Sequence, residues 1–253
     1  MPFHQILLRV NDLLMAYLTL ILYVVFVYRF PAVEIGYDMP IPVLYYYDTA
    51  PPVRAVLLTL QNIGLDVELK YVNLKLRENF SPEFIKMNPA KKVPVLKDGD
   101  VCITDSHAIN AYLVSKYAKN DKLYPKDLGK RAIVDSRLHF DNGSLFPALA
   151  GIVRPRIYDG VEGISKEKKD NVMDVLQIVN CLLESNEWIA GEELTIADFS
   201  FIATLTSLET VITEVTRFPN INNYLRKCKE SIAGYDKANV PGLEKFKMLI
   251  SQQ

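Results

Sequence analysis

The chain predicts two unlike halves, a mixed α/β unit over residues 39–120 followed by an all-helical unit over residues 128–253. Three observations carry that prediction. Between Val43 and Tyr117, short β-branched or aromatic runs alternate with amphipathic stretches in the order β-α-β-α-β-β-α, the pattern of a compact mixed sheet with helices packed on it. Residues 119–130 (KNDKLYPKDLGK) are polar and hold Pro125 and Gly129, which is linker composition. Everything after them reads helical.

Residues 43–47 (VLYYY) form a strand by propensity. Asp48-Thr49-Ala50 turns the chain, and Pro51-Pro52 opens a helix, since proline is favoured at the first helical position. Val53, Val56, Leu57, Leu60 and Ile63 make its apolar stripe to about Asn62, and Gly64 ends it. Residues 67–72 (VELKYV) alternate like a strand. Ser81-Pro82-Glu83 caps a short helix that Asn88-Pro89 closes. Residues 92–109 (KVPVLKDGDVCITDSHAI) then supply a strand at 93–96, a turn at Asp98-Gly99-Asp100 and a second strand at 101–103. A helix opening with Thr104-Asp105-Ser106 runs to about Tyr117.

In the second half, residues 131–146 carry apolar positions at helical spacing, and Pro147 is expected to kink or end that helix. Residues 165–183 are amphipathic, with Val172, Val175, Leu176, Val179 and Leu183 inward. Residues 188–191 turn. Thr195-Ile196-Ala197-Asp198 is a capping box before a buried helix at 199–211. Phe218-Pro219-Asn220 opens another that continues to Ala233.

The 253 residues suffice for a substantial core, and 49% hydrophobic with 23% charged residues is ordinary globular composition. A formal net charge of −1 with no basic tract offers nothing to nucleic acid. Cys102, Cys181 and Cys228 lie far apart without metal-ligand spacing, which fits a reducing compartment. His4, His107 and His139 are too scattered for a metal site, so no metal is expected.

Residues 1–38 differ from the rest. Residues 13–28 (LLMAYLTLILYVVFVY) are uncharged and apolar, with Tyr28, Arg29 and Phe30 suited to an interfacial end. Spanning a bilayer takes about 20 apolar residues, with about 17 near the lower limit. Three readings compete: a membrane anchor through residues 13–30, a targeting segment, or sequence upstream of the working protein, because Met39 opens MPIPVLYYYD like a natural start. The expected location is cytoplasmic, or membrane-associated facing the cytosol where the segment is retained.

Two features of residues 92–109 resemble recognition chemistry. Pro94 cannot donate to a sheet ladder, so Val93 beside it has backbone groups to offer an extended peptide. Asp105 and Ser106 stand at a helix start, where orphan N–H groups hold a carboxylate and the Asp105 side chain can take an amine. The plainer alternative is an N-cap at Asp105 and a tolerated edge proline.

Several segments in order, LYYY-DTAPPVRA, MNPAKKVPVL, ITDSHAINAYL, LYPKD, RLHFDNGSLF, TIADFS and FPNINNYL, resemble the cytosolic glutathione transferases. The likeness is to the insect epsilon class, with delta as its neighbour, and covers Met39 to the C-terminus. It implies a thioredoxin-like N-terminal domain that holds glutathione and a helical domain that supplies a pocket for hydrophobic electrophiles. It also implies a homodimer. Carried over residue by residue, Val93 pairs its backbone with the cysteinyl unit beside a cis Pro94, and Asp105 and Ser106 hold the γ-glutamyl amine and carboxylate. The family pattern carries histidine at position 91 and often at 79. Here Lys91 and Asn79 stand there, with Lys91 competent toward the glycyl carboxylate and Lys92 beside it. The alternative is two solvated lysines. By the same resemblance His107 faces out toward glutathione or a second subunit.

The departure falls at the catalytic position, where Ala50 replaces the serine whose hydroxyl stabilises the thiolate. The helix opening at Pro51 still points its positive end at the sulfur. Thr49 is the nearest substitute hydroxyl, with Tyr46 and Tyr47 behind it. Phe146, Leu149, Ala150 and Val153 are expected to line the electrophile pocket, with Ala150 where the family usually has arginine; ordinary helical core is the alternative for all four. Asp198 is expected to be structural. The resemblance thus implies a weak glutathione transferase, with a non-catalytic carrier of hydrophobic ligands as the rival on the same fold.

Overall fold

The computed structural model describes residues 41–251. The extension at 1–38 and its apolar run lie outside the described residues. Among the described residues no helix is long and apolar enough to cross a membrane.

The first half runs β1 (Val43–Tyr46), α1 (Pro51–Ile63), β2 (Glu68–Tyr71), a 3₁₀ turn at Glu78–Phe80, α2 (Pro82–Met87), β3 (Val95–Asp98), β4 (Val101–Ile103) and α3 (Ser106–Tyr117). This is the expected β-α-β-α-β-β-α order. The four strands lie in the order β2-β1-β3-β4, with β2 parallel to β1 and the other pairs antiparallel. A thioredoxin-like mixed sheet results.

Local chemistry explains the boundaries. Ala50 is the N-cap of α1 without a side-chain cap bond, and the two prolines at its start need no N–H partner there. Gly64 ends α1 at φ 67°, a conformation that a side chain would resist, and its N–H closes on the Leu60 carbonyl. The β3–β4 hairpin is tied to α3 through Asp98. One buried oxygen, Oδ2, accepts from Tyr117 Oη at 2.6 Å, Tyr112 Oη at 2.7 Å and Lys116 Nζ at 2.6 Å. Leu44, Val56, Leu60, Leu96, Ile109 and Leu113 pack one apolar cluster, while Tyr47, Val53, Val72, Phe84, Val93 and Val95 pack another.

The second half is helical: α4 (Leu128–Phe140), α5 (Phe146–Asp159), α6 (Lys166–Leu182), α7 (Ile196–Val211), α8 (Pro219–Ser231), α9 (Tyr235–Ala238) and α10 (Val240–Ser251), with a 3₁₀ turn at Thr213–Arg217. The capping box at Thr195 and Asp198 is formed. Beyond the cap, Asp198 accepts from Ile189 N–H at 2.8 Å and Tyr224 Oη at 2.9 Å, the structural part expected of it. From Ile196 to Leu208, α7 is buried on every side, so it forms the axis of this half.

Three sequence expectations change. The stretch 119–130 is not all linker, because Asp127 caps α4 and the helix begins at Leu128. Pro147 does not stop a helix: a π-helical turn at Asp141–Leu145 just before it joins α4 to α5, and the proline falls in the first turn of α5. Finally, α9 and α10 extend the chain past the last predicted helix.

The halves are locked at Arg54 of α1, which is fully buried. It donates to Asn239 Oδ1 at 2.7 Å, to the Ala203 carbonyl at 3.1 Å and to Ser207 Oγ.

Candidate functional site

Strand register gathers the predicted residues at one end of the sheet. Tyr46, at the end of β1, pairs with Tyr71 at the end of β2, while Tyr45 pairs with Val95 at the start of β3. Leu96 in turn pairs with Ile103 at the end of β4. The turn after β1 (Asp48 to Ala50), the chain entering β3 (Lys91 to Pro94) and the start of α3 (Asp105-Ser106) therefore share one edge.

The Val93–Pro94 peptide is cis. Val93 packs in the same apolar cluster as Ala50, and among the described residues neither its N–H nor its C=O is hydrogen-bonded. A backbone pair free to take an extended peptide thus lies beside the N-terminus of α1. Lys91, entering this segment, sits at φ 56°, unusual for a residue with a side chain. Its N–H donates to the Asn88 carbonyl at 2.9 Å, and its carbonyl accepts from Asn79 Nδ2 at 2.8 Å. Asn88 Nδ2 holds the Lys92 carbonyl at 2.7 Å. Lys92 itself is exposed, whereas the Lys91 ammonium lies 4.9 Å from the Phe80 ring centroid. Asn79 Oδ1 is buried and unpartnered.

At the start of α3, Asp105 is an N-cap: its Oδ1 accepts from the His107 N–H at 2.9 Å and the Ala108 N–H at 3.1 Å. Its exposed Oδ2 takes no partner among the described residues. Ser106 beside it is buried. His107 does not face out. Its Nε2 meets Asp141 Oδ2 at 2.9 Å, and Asp141 Oδ1 accepts from Thr204 Oγ1 at 3.2 Å. The ring thereby ties the start of α3 to the π turn and is half-buried there.

Thr49, the nearest candidate hydroxyl, lies in the turn just before the start of α1. Thr49 is buried, and so is Tyr47 before it in the chain. Burial raises the Tyr47 phenol above its usual range, so it stays protonated. Ala50, the N-cap, offers the α1 N-terminus no side-chain hydrogen bond.

Of the four residues expected around the electrophile, Leu149 and Val153 are core residues, 2% and 7% exposed. Helical spacing marks a buried face without saying what buries it. Phe146 and Ala150 are half-buried. A cavity of about 260 Å³ opens instead on the β2 side of the same sheet end. Tyr47, Thr49 and Tyr71 line one side, Lys75 and Asn73 the loop after β2, and Lys245, Met248 and Leu249 of α10 the other. Sequence reasoning missed the α10 residues, although Leu243, Phe246, Leu249 and Ile250 have helical spacing and are buried. Lys245 is also bound to Asp48 Oδ2 at 2.5 Å, a contact that raises its pKa. Among the described residues no group of His, Cys, Asp or Glu is gathered to hold a metal ion.

A thioredoxin-like sheet end with a cis proline and two helix N-termini around it, joined to an all-helical half, defines a two-domain fold of thioredoxin-like and helical parts. Residues 42–115 match the glutathione S-transferase N-terminal domain and residues 146–231 match the C-terminal domain. The chain is 41% identical over 213 residues to glutathione S-transferase 1 of Manduca sexta, covering 83% of this chain and 97% of that one. An epsilon-class enzyme of the housefly Musca domestica superposes with a TM-score of 0.79 at 41% identity, over 83% of this chain and 97% of that one. A glutathione transferase homologue of Drosophila mojavensis, solved with bound glutathione, superposes with a TM-score of 0.78 at 38% identity over 83% and 96%. The chain belongs to the glutathione S-transferase family, within the insect delta and epsilon group.

Proposed function

We propose that this protein binds reduced glutathione across the open end of the sheet and adds its sulfur to hydrophobic electrophiles, at a rate limited by the missing hydroxyl at Ala50. The observation that carries the reading is the unbonded Val93 backbone beside the cis Pro94, packed against the N-cap of α1. There the cysteinyl unit pairs with Val93 as an added strand would. Asp105 Oδ2 takes the γ-glutamyl amine, and the N–H groups at Ser106 and the start of α3 take its carboxylate. Lys91 takes the glycyl carboxylate with Lys92 nearby, on a loop that Asn79 holds in shape. His107 acts through Asp141 by fixing the start of α3.

The chemistry follows from that placement. The thiol proton leaves to solvent, the thiolate attacks the electrophilic carbon, and the C–S bond forms as the leaving group departs with its electron pair. The α1 N-terminus favours the thiolate. A charge-assisted hydrogen bond contributes about 1.5–3 kcal/mol, and one pKa unit is about 1.4 kcal/mol. Without serine the bound thiol should therefore sit on the order of one to two units higher, with a small but real thiolate fraction. Phe146 and Ala150 supply the apolar wall on the helical side. The division of labour follows the two halves, 39–120 for glutathione and 128–253 for the electrophile. Assembly is a homodimer, placed in the cytoplasm, or on its membrane where residues 1–38 are retained.

Ala50→Ser tests the reading. Thiolate absorbance of bound glutathione should titrate about one to two units lower in the variant, with conjugation of a chloro-dinitrobenzene rising about tenfold or more. No titration shift and no gain, with apolar ligands bound tightly, would instead make this chain a carrier.

A further inference from the structure

The cavity on the β2 side is not simply apolar, and its charges are of one sign. Tyr47 forms its floor, 7% exposed, with the Tyr71 ring 5.6 Å away centroid to centroid. Met248 and Leu249 face these rings from α10. Two ammonium groups, Lys75 and Lys245, complete the lining, and no carboxylate is part of it. The loop carrying Lys75 is ordered, because Asn73 Oδ1 accepts from the Lys75 N–H at 3.0 Å and the Leu76 N–H at 3.2 Å. Lys75 has no acidic partner within salt-bridge distance among the described residues, while Lys245 spends one of its three donors on Asp48 and keeps two. Burial raises both tyrosine phenols, so their hydroxyls remain protonated and able to donate.

We propose that the preferred co-substrate is an amphipathic electrophile with a carboxylate, its apolar body between the Tyr47 and Tyr71 rings and the Met248–Leu249 face, and its anionic end held by Lys75 and Lys245. The proposal rests on the transferase reading above, since Thr49 places this cavity next to Ala50 and hence next to the sulfur. A neutral electrophile would bury the same apolar surface but leave the Lys75 ammonium without a counter-charge and the free donors of Lys245, already paired with Asp48, without an acceptor. Because both lysines are exposed and Lys245 is already paired with Asp48, their joint contribution is modest, about five- to tenfold in discrimination.

The test uses the full chain, glutathione and a matched pair, a chloro-dinitrobenzoate and its methyl ester. In both, the aryl C–S bond forms, chloride leaves with the electron pair and the thiol proton goes to solvent. After subtraction of the uncatalysed rates, the ratio of kcat/KM for the acid to that for the ester should fall about five- to tenfold in the Lys75→Gln, Lys245→Gln double variant. Lys75→Gln alone, which leaves the Asp48 contact intact, should give part of that fall. An equal ratio in all three proteins overturns the proposal. If neither compound is conjugated, the transferase reading fails by itself. The cavity is then judged by displacement of anilinonaphthalene sulfonate: stronger displacement by the acid in the wild type but not in the double variant sustains the charge assignment, and equal displacement by acid and ester overturns it.

Discussion

Lys245 Nζ lies 2.5 Å from Asp48 Oδ2, two positions before Ala50, so the last helix of the described chain is fastened to the turn that carries the catalytic position. Gly242, nearly one turn earlier on α10, makes the approach close: a Cβ there would stand 2.1 Å from the Asp48 carbonyl oxygen. The helix rests on backbone that cannot rotate away.

Gly242→Ala should therefore push α10 off the turn. The expected cost is about 1–3 kcal/mol of stability, as for other overpacked sites, and KM for the electrophile should rise as Met248 and Leu249 shift. Gly151→Ala in α5 is the control, since nothing lies within 4 Å of its missing Cβ. There the gain in helix propensity should stabilise by about 0.5–1 kcal/mol. Urea midpoints that move the same way in both variants would contradict this account of the α10 contact.

Arg54 presents the converse case, a buried cation answered only by neutral acceptors. Burial lowers its pKa to about 9, which still leaves it charged at neutral pH. Arg54→Ala should cost about 3 kcal/mol or more, because Asn239, Ser207 and the Ala203 carbonyl lose their donor and a cavity opens. Arg54→Lys should recover less than half, since one ammonium cannot reproduce a planar fork reaching three acceptors. Denaturant titration of the three proteins decides it, and an Arg54→Lys variant as stable as the wild type would show that the fork is not needed.

What could be read beforehand follows the range of the interactions. Pro51-Pro52 with Gly64, the Thr195–Asp198 box and the Asp98-Gly99 turn act within a few residues, and each marks its element in the sequence. The order of elements in the α/β half followed from them, as did the Val93, Asp105 and Ser106 positions on one edge. The place of His107 is not legible in the sequence, because its partner, Asp141, lies 34 residues away across the domain seam. The resemblance implies Leu149 and Val153 in the pocket, whereas both are buried in the helical core; periodicity identifies a buried face but not what buries it. The cavity-lining residues of α10 escaped for the same reason: Lys245 acquires meaning only once the fold brings it to Asp48.

Two buried aspartates should give pH dependences of opposite sign. Burial alone would raise Asp98, but hydrogen bonds from Lys116, Tyr117 and Tyr112 outweigh it and hold the carboxyl below its ordinary 3.8. With a depressed folded pKa, its contribution is present above about 3.8 and is lost as pH falls through the folded value. Asp198 is pushed up to about 6 by burial, against bonds from Ile189, Thr195 and Tyr224. With a raised folded pKa, its contribution is complete below 3.8 and is lost as pH rises through about 6. The stability difference between wild type and Asp98→Asn should thus shrink on acidification below about 3.8. That between wild type and Asp198→Asn should change between about 4 and 6, with the wild type losing ground as pH rises. Flat differences across pH 3–7, from urea unfolding at about half-unit steps, would contradict both assignments.

Lys91 separates fold from function at a single residue. Its φ of 56° is one that glycine adopts freely and lysine does not, at a cost of about 1–2 kcal/mol. The ammonium recovers about 0.5 kcal/mol from its place over Phe80. Lys91→Gly should therefore raise stability by about 0.5–1 kcal/mol, since the bonds to Asn79 and Asn88 use backbone atoms that glycine retains. Glutathione affinity should move the other way, falling about tenfold with loss of the partner for the glycyl carboxylate. A more stable protein that binds glutathione less well, by calorimetry, identifies a strained residue kept for its ligand. A more stable protein with unchanged affinity makes Lys91 a surface lysine in an awkward conformation, and the glycyl carboxylate must then be held by another residue.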